Sequence, residues 1–307
     1  MRVAIVHETV YRYEHPAHYS VQYLRLTPRS SGRQKVISWK LDTPAPTRAW
    51  TDAFGNESHL LVVEKPHTEI RVRARGEVDV MEQPGPVDDP GPQKADVYLR
   101  PTPLTTVDPP LAGFAADHGR SATRDRSAIL EELMRAIHER MEYRRGATDA
   151  ATAAADAFSR KAGVCQDHAH VFVACARWLG IPARYVSGYL AATGGDLASH
   201  AWAEAFIEGE GWFGYDVANR TMPGGSHVRV AVGLDYQDAC PVRGFRRGGA
   251  GESMVVDVRV QDAARYAKQE AEQQSRPALG PDACPVSYAR WAQRPGSAAR
   301  IGLVRHP

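Results

Sequence analysis

The stretch Lys161-Ala162-Gly163-Val164-Cys165-Gln166-Asp167 decides how this chain is read. A glycine ends a turn, and the residues after it carry a helical apolar face: Ala169, Phe172, Val173, Ala176 and Leu179. Gly180-Ile181-Pro182 stops that helix, because the residue before a proline is pushed out of the helical region. Thirty-five residues beyond Cys165, His200 opens an alternating strand, and Asp216 follows sixteen residues later. A free thiol is mostly protonated at neutral pH, with a pKa of about 8.5. A helix N-terminus and a neighbouring imidazolium both favour thiolate. The first N–H groups of a helix point outward and can receive an oxyanion. The order cysteine, histidine, acid therefore supplies the parts of thiol acyl transfer, provided the three meet in space.

Outward from this stretch, the C-terminal side has period two. Ala183 to Leu190, His200 to Ile207, Gly211 to Val217 and Met254 to Val260 are expected strands. Trp202, Glu204 and Phe206 share the face of His200. A turn centred near Glu208 would set Asp216 across from His200, and a tighter one at Gly209 to Gly211 would move it toward Glu204. On the N-terminal side, Ile129, Leu133 and Ile137, with Leu130 and Met134 beside them, predict an amphipathic helix over 121–141. A short helix is expected from Thr152 to just before Gly163. Helices followed by antiparallel strands make this region α+β. The first eighty residues alternate instead. Thr9 to Tyr13, Tyr19 to Leu26, Gln34 to Leu41 and Ile70 to Val80 are separated by His15-Pro16, Pro28 to Gly32, Thr43 to Pro46 and Phe54-Gly55-Asn56. That spacing predicts an antiparallel β-sandwich-like domain. The expected division is a β-rich domain at 1–82, a Pro-rich linker at 83–110, a catalytic core at 111–260 and a peripheral or partly disordered tail at 261–307.

The chain of 307 residues is 43% hydrophobic and 24% charged, with a formal net charge of +2. A near-neutral balance spread along the chain gives no basis for a nucleic-acid or membrane-surface partner. The N-terminus is not expected to be a signal peptide, since its apolar run is only four residues long, and no stretch is long enough to span a bilayer. Four cysteines, Cys165, Cys175, Cys240 and Cys284, are widely spaced with no CxxC pair. They read as free thiols of a reducing compartment, so a cytoplasmic location is expected. The Gly-rich stretch Arg247 to Gly251 precedes a strand rather than a helix and is not a phosphate loop. No cofactor and no metal are expected.

Four segments together resemble the bacterial transglutaminase-like family of papain-like thiol enzymes. They are Gly163-Val164-Cys165-Gln166-Asp167-x-Ala169-His170, Gly180 to Tyr189, Ser199-His200-Ala201-Trp202-x-Glu204 and Gly211-Trp212-x-Gly214-Tyr215-Asp216. Tyr11-x-Tyr13, Leu24-Arg25-Leu26-x-Pro28-Arg29 and Asp52-x-Phe54-Gly55-Asn56 resemble the β-rich region that precedes the core in this subfamily. The similarity extends through Val232-Gly233-x-Asp235-Tyr236-x-Asp238 and Pro241-Val242-x-Gly244. The resemblance implies a transglutaminase-like core with Cys165 as nucleophile, His200 as base and acid, and Asp216 as the orienting carboxylate. Two positions depart from the family pattern. His168 stands where an aromatic residue is usual, and Asp216-Val217-Ala218-Asn219 replaces Asp-Pro-Thr-Asn.

Plainer readings stand beside these. Cys165 alone could be a buried structural thiol, or could join His168, His170 and His200 in a metal site. His170 reads better as a core histidine, and Asp167 as a helix cap. Gln166 is an oxyanion donor or simply a helix residue. Tyr143 is a candidate for substrate or oxyanion contact. Trp202 and Trp212 are packing groups that could wall the cleft. The expected function is cleavage of a peptide or protein amide through an acyl-thioester, with hydrolysis favoured. A transglutaminase or other amine acyltransferase, and a non-catalytic binding module on the same fold, are the alternatives. The complete Cys, His and Asp set argues against the last.

Overall fold

β1 (Arg2–Thr27) is one extended strand of 26 residues running through the expected turn at His15-Pro16. Pro16 has no N–H to give a ladder, and it falls where the pairing of β1 breaks register, between Arg12 and Ala17. Before the break β1 pairs with β5 (His67–Val80) and β13 (Glu252–Asp262). After it, β1 pairs mainly with β4 (Glu57–Val63) and β12 (Val242–Gly248). With β2 (Gln34–Asp42) beside β5 and β3 (Thr47–Thr51) beside β4, the result is a single seven-stranded antiparallel sheet that curls about β1. The computed structural model describes residues 1–88, 91–119, 125–191 and 199–262. The expected tail lies outside these residues but for 261 and 262, as does the start of the helix expected at 121.

Residues 242–260, which the sequence division assigns to the core, and 261–262, which it assigns to the tail, pair instead with this N-terminal sheet. Nothing local announces that. β1 needs a partner along its second edge, and the chain supplies one from the far end of the sequence.

The core holds α1 (Pro109–His118), α2 (Arg126–Arg140), α3 (Ala154–Arg160), α4 (Cys165–Trp178) and the short α5 (Tyr236–Ala239). β6 (Glu142–Tyr143) and β7 (Ala162–Gly163) form a two-residue parallel pair. β8 (Ala183–Leu190), β9 (Ser199–Ile207), β10 (Gly211–Tyr215) and β11 (His227–Gly233) make an antiparallel sheet in the order β10-β9-β8-β11. α4 is buried from Asp167 through Arg177, the pattern of a helix packed on all sides. Leu130, Leu133, Ile137, Phe158 and Phe172 form one apolar core with the helices. Val3, Ile5, Val78, Val80 and Val260 of the N-terminal sheet share a second core with Tyr185, Tyr189, Val228 and Val230. Among the described residues no helix is long and apolar enough to cross a membrane.

The Pro-rich stretch is not a loose linker. Tyr98 within it is fully buried, and its ring lies 5.1 Å from that of Trp212 in a T-shaped contact. Pro109 and Pro110 open α1, where a missing N–H costs nothing, behind an Asp108 side chain that accepts from Leu111 N–H.

Two amides of the N-terminal sheet extend the ladder of β11. Gln34 Nε2 donates to the Arg229 carbonyl (2.8 Å), and Gln34 Oε1 accepts from Arg229 N–H (2.9 Å). Asn56 repeats the pattern on Val232, at 2.7 and 2.8 Å. Asp52 builds the turn that aims Asn56 by accepting the N–H groups of Phe54 and Asn56. The Asp-x-Phe-Gly-Asn motif is thus a device for holding β11.

Candidate active site

Cys165 is the first residue of α4 and is partly exposed. Asp167 fixes the helix start: its Oδ2 accepts from Val164 N–H (2.7 Å) and from Thr148 Oγ1 (2.6 Å). A Cβ on Gly163 would fall 2.5 Å from that same oxygen, so the approach requires glycine. Asp167 is therefore a cap, as its position suggested, and burial raises its pKa. The N–H groups of Cys165 and Gln166 occupy the first two helical positions, where no intrahelical acceptor exists. The other described cysteines differ. Cys175 is fully buried, which drives its thiol far up, and burial pushes Cys240 up to about 11.

His200 lies on β9 opposite Gly188, and Trp202 opposite Val186. In the β9–β10 hairpin Gly214 pairs with Glu204 and Tyr215 with Ala203. That register lies between the two expected ones and brings Asp216 to the level of Trp202. The side chains close the remaining gap: His200 Nε2 lies 2.7 Å from Asp216 Oδ2. Nδ1 is then the ring nitrogen left for the thiol. Burial pushes the imidazole down, but hydrogen bonds and negative charge from Asp216 and Cys165 reverse this, raising His200 from 6.5 to about 10. The fully buried Asp216 shows the opposite balance. Burial favours its neutral form, yet its donors hold the carboxyl well below the usual range.

Those donors include two residues that the sequence reading did not single out. Asn219 Nδ2 lies 2.7 Å from Asp216 Oδ2, and Asn219 N–H donates to Oδ1 at 3.2 Å. Asn219 therefore restores a tight loop without the usual proline, and Arg220 beside it takes a left-handed φ of 51°. His227, the first residue of β11, places its Nε2 3.0 Å from Asp216 Oδ2. The only signal for His227 was its place at the start of a strand that had itself gone unread.

Tyr143 is half exposed, and its ring stacks on His168 at 6.2 Å. Burial raises its pKa, as does negative charge at Cys165. Gln166 is half-buried at the helix start. Trp202 is buried, with its ring 6.2 Å from His200 and packed among Val186, Val232 and Phe54. It forms a wall beneath His200. Trp212 lies elsewhere, under the Arg184 guanidinium at 4.0 Å.

The expected metal alternative does not assemble. His168 Nδ1 lies 2.9 Å from the Val164 carbonyl and Nε2 3.2 Å from that of Met141, so the unusual histidine ties the helix start to the end of α2. His170 Nε2 accepts from Tyr236 N–H (3.1 Å), and burial pushes that ring down to about 3. A different set, His200, Asp216 and His227, converges within 4.8 Å.

A papain-like core with this constellation defines a transglutaminase-like fold. Residues 3–79 match the family described as the bacterial transglutaminase-like N-terminal region, and residues 114–217 match the transglutaminase-like superfamily. The chain belongs to that family. An uncharacterised protein of Mycobacterium leprae (strain TN) is 31% identical over 282 residues, covering 84% of this chain and 98% of its own length. An uncharacterised protein of Mycobacterium tuberculosis (strain ATCC 25618 / H37Rv) is 31% identical over 288 residues, covering 84% and 91%. Among solved structures, a chain from Cytophaga hutchinsonii described as a candidate cysteine protease superposes with a TM-score of 0.69 at 23% identity, over 85% of this chain and 90% of that one.

Proposed function

We propose that this protein is a cysteine-dependent amide hydrolase acting on a peptide or protein, with Cys165 as nucleophile, His200 as base and acid, and Asp216 as the carboxylate that orients His200. The observation that carries the reading is the His200–Asp216 pair at 2.7 Å, with Cys165 at the partly exposed start of α4 adding to the negative surroundings that raise the imidazole. His200, raised to about 10, already carries a proton on Nδ1 as well as on Nε2, and the Cys165 sulfur attacks the substrate carbonyl carbon beside it. The N–H groups at the start of α4 receive the oxyanion. As the C–N bond breaks, His200 gives its Nδ1 proton to the departing amine, leaving an acyl-thioester on Cys165. His200 then takes a proton from water, hydroxide attacks the thioester carbonyl, and the carboxylic acid leaves as the thiolate is restored. The partial exposure of Cys165 favours water over an amine as second nucleophile, because transfer to an amine requires water to be kept out.

Brief treatment with iodoacetamide near pH 6, read by peptide mass, should modify Cys165 and leave Cys175 and Cys240 unmodified. Cys165→Ala should abolish cleavage of a peptide library and remove the thioester mass. Equal, slow labelling of Cys165, Cys175 and Cys240 would sink the reading. An added primary amine captured in place of water would replace hydrolysis with acyl transfer.

A further inference from the structure

The structure assigns His227 the role of positioning residue, a second imidazole that acts through Asp216 to hold His200. This rests on the reading of Cys165, His200 and Asp216 given above. β11 lies at the opposite edge of the sheet from β10, with β9 and β8 between. His227 reaches Asp216 across the end of β8, where Gly188 contributes no side chain. A Cβ on Gly188 would meet the Trp202 ring at 2.6 Å. Trp202 settles into that gap, and His227 stands edge-on to it at 5.5 Å and 86°.

The far side of His227 fixes its tautomer. Gly224 N–H points at Nδ1 (3.4 Å), with Ser226 Oγ 3.2 Å away. A backbone N–H can only donate, so Nδ1 holds a lone pair and the ring hydrogen sits on Nε2. That hydrogen points at Asp216 Oδ2, the same oxygen that His200 uses. Oδ2 thus receives two imidazole nitrogens and the Asn219 amide. The carboxylate can neither swing away nor gather enough charge to take the His200 proton. Of the other charged groups that line the same cavity, Glu204 and Arg229 are paired with one another at 2.8 Å, and Arg33 donates to the Gln83 carbonyl. The convergence of the three residues does not call for a metal, because His227 Nε2 carries a hydrogen and has no lone pair to offer.

Two substitutions separate the donor from the ring. His227→Phe keeps the ring's bulk and loses the N–H. His227→Gln loses the ring but sets an amide N–H close to where Nε2 lies. The measurements are the pH dependence of Cys165 alkylation by iodoacetamide and thermal melting of the full chain. In the Phe variant, alkylation at pH 6 should fall about tenfold, with its acid limb moved up by about one pH unit, as outer-partner losses commonly do. The Gln variant should stay within about threefold of wild type, with the limb restored. If the Phe variant does not fold, the Gln profile decides alone. A wild-type profile in the Phe variant, whatever its melting temperature, would overturn the assignment. So would a Gln variant with the shifted limb, or stoichiometric Zn²⁺ binding by wild type that His227→Gln abolishes. If wild-type Cys165 is labelled no faster than Cys175, the enzymatic reading itself fails. If it is labelled fast and neither variant moves the profile, only the role of His227 fails.

Discussion

At the level of single residues, Asp216 is the hinge of the site. Removing its charge while keeping its shape, as Asp216→Asn, leaves His200 free to take the wrong tautomer. The rate of amide cleavage should fall about 10²- to 10⁴-fold, measured at saturating substrate. The same variant reports on stability. His200, raised to about 10, stabilises the fold fully below its ordinary 6.5, and that contribution is lost as pH rises through 10. Asp216, held low, stabilises it above its ordinary 3.8, and that is lost as pH falls through its folded value. Both are complete between pH 3.8 and 6.5. The gap in melting temperature between wild type and Asp216→Asn should be widest there and shrink toward acid and alkali. A gap that keeps growing above pH 6.5 would contradict the pairing. The order of Cys165, His200 and Asp216 was legible because Cys165 opens α4, His200 lies on β9 and Asp216 directly follows β10, three elements with a clear local period. His227 and Asn219 were not, because their partner is reached across strand ends and around a loop.

At the scale of the elements, β8, β9 and β11 carry a buried ion cluster beneath the site. Glu204 is 1% exposed and lies 2.6 Å from Arg184 Nε and 2.8 Å from Arg229 Nε. Burial would raise its pKa, and the two guanidinium groups outweigh that and lower it. Glu204→Gln removes the buried carboxylate charge that lies between two guanidinium groups, so the chain should lose about 3–5 kcal/mol in urea unfolding. A loss below about 1 kcal/mol would mean that solvent reaches the cluster. Period-two alternation revealed β8 and β9, and the burst of apolar residues after Cys165 revealed α4. α1 was hidden by its own prolines, which serve as a helix start but read as a linker. β11 keeps a period of two in Val228, Val230 and Val232 that the sequence reading passed over, while the three arginines of β12 leave it no apolar face.

Across the whole molecule, the N-terminal sheet and the core form one structure. The side chains of Gln34 and Asn56 satisfy four backbone groups of β11 between them. Replacing both with alanine should lower stability by about 1–3 kcal/mol for each position and slow Cys165 alkylation, because β11 also carries His227. An unchanged alkylation rate would show that the clamp only stabilises. That the first eighty residues are antiparallel β was plain in the sequence. That their sheet is completed by 242–262 was not, since pairing across more than two hundred positions leaves no local trace.

The return of the last described strands to β1 also has a consequence for synthesis. A nascent chain makes β1 first, and the strands that cover its second edge emerge last. Until then the ribosome holds a protein whose oldest strand is open along most of its length. Long-range closure of this kind is slow and exposes edges to neighbouring chains. A fragment ending at residue 241 should therefore sediment with the aggregates when expressed at 37 °C. The full chain should remain in the supernatant under the same conditions. The Cys165 site is assembled behind a sheet that cannot be finished before translation has passed it by.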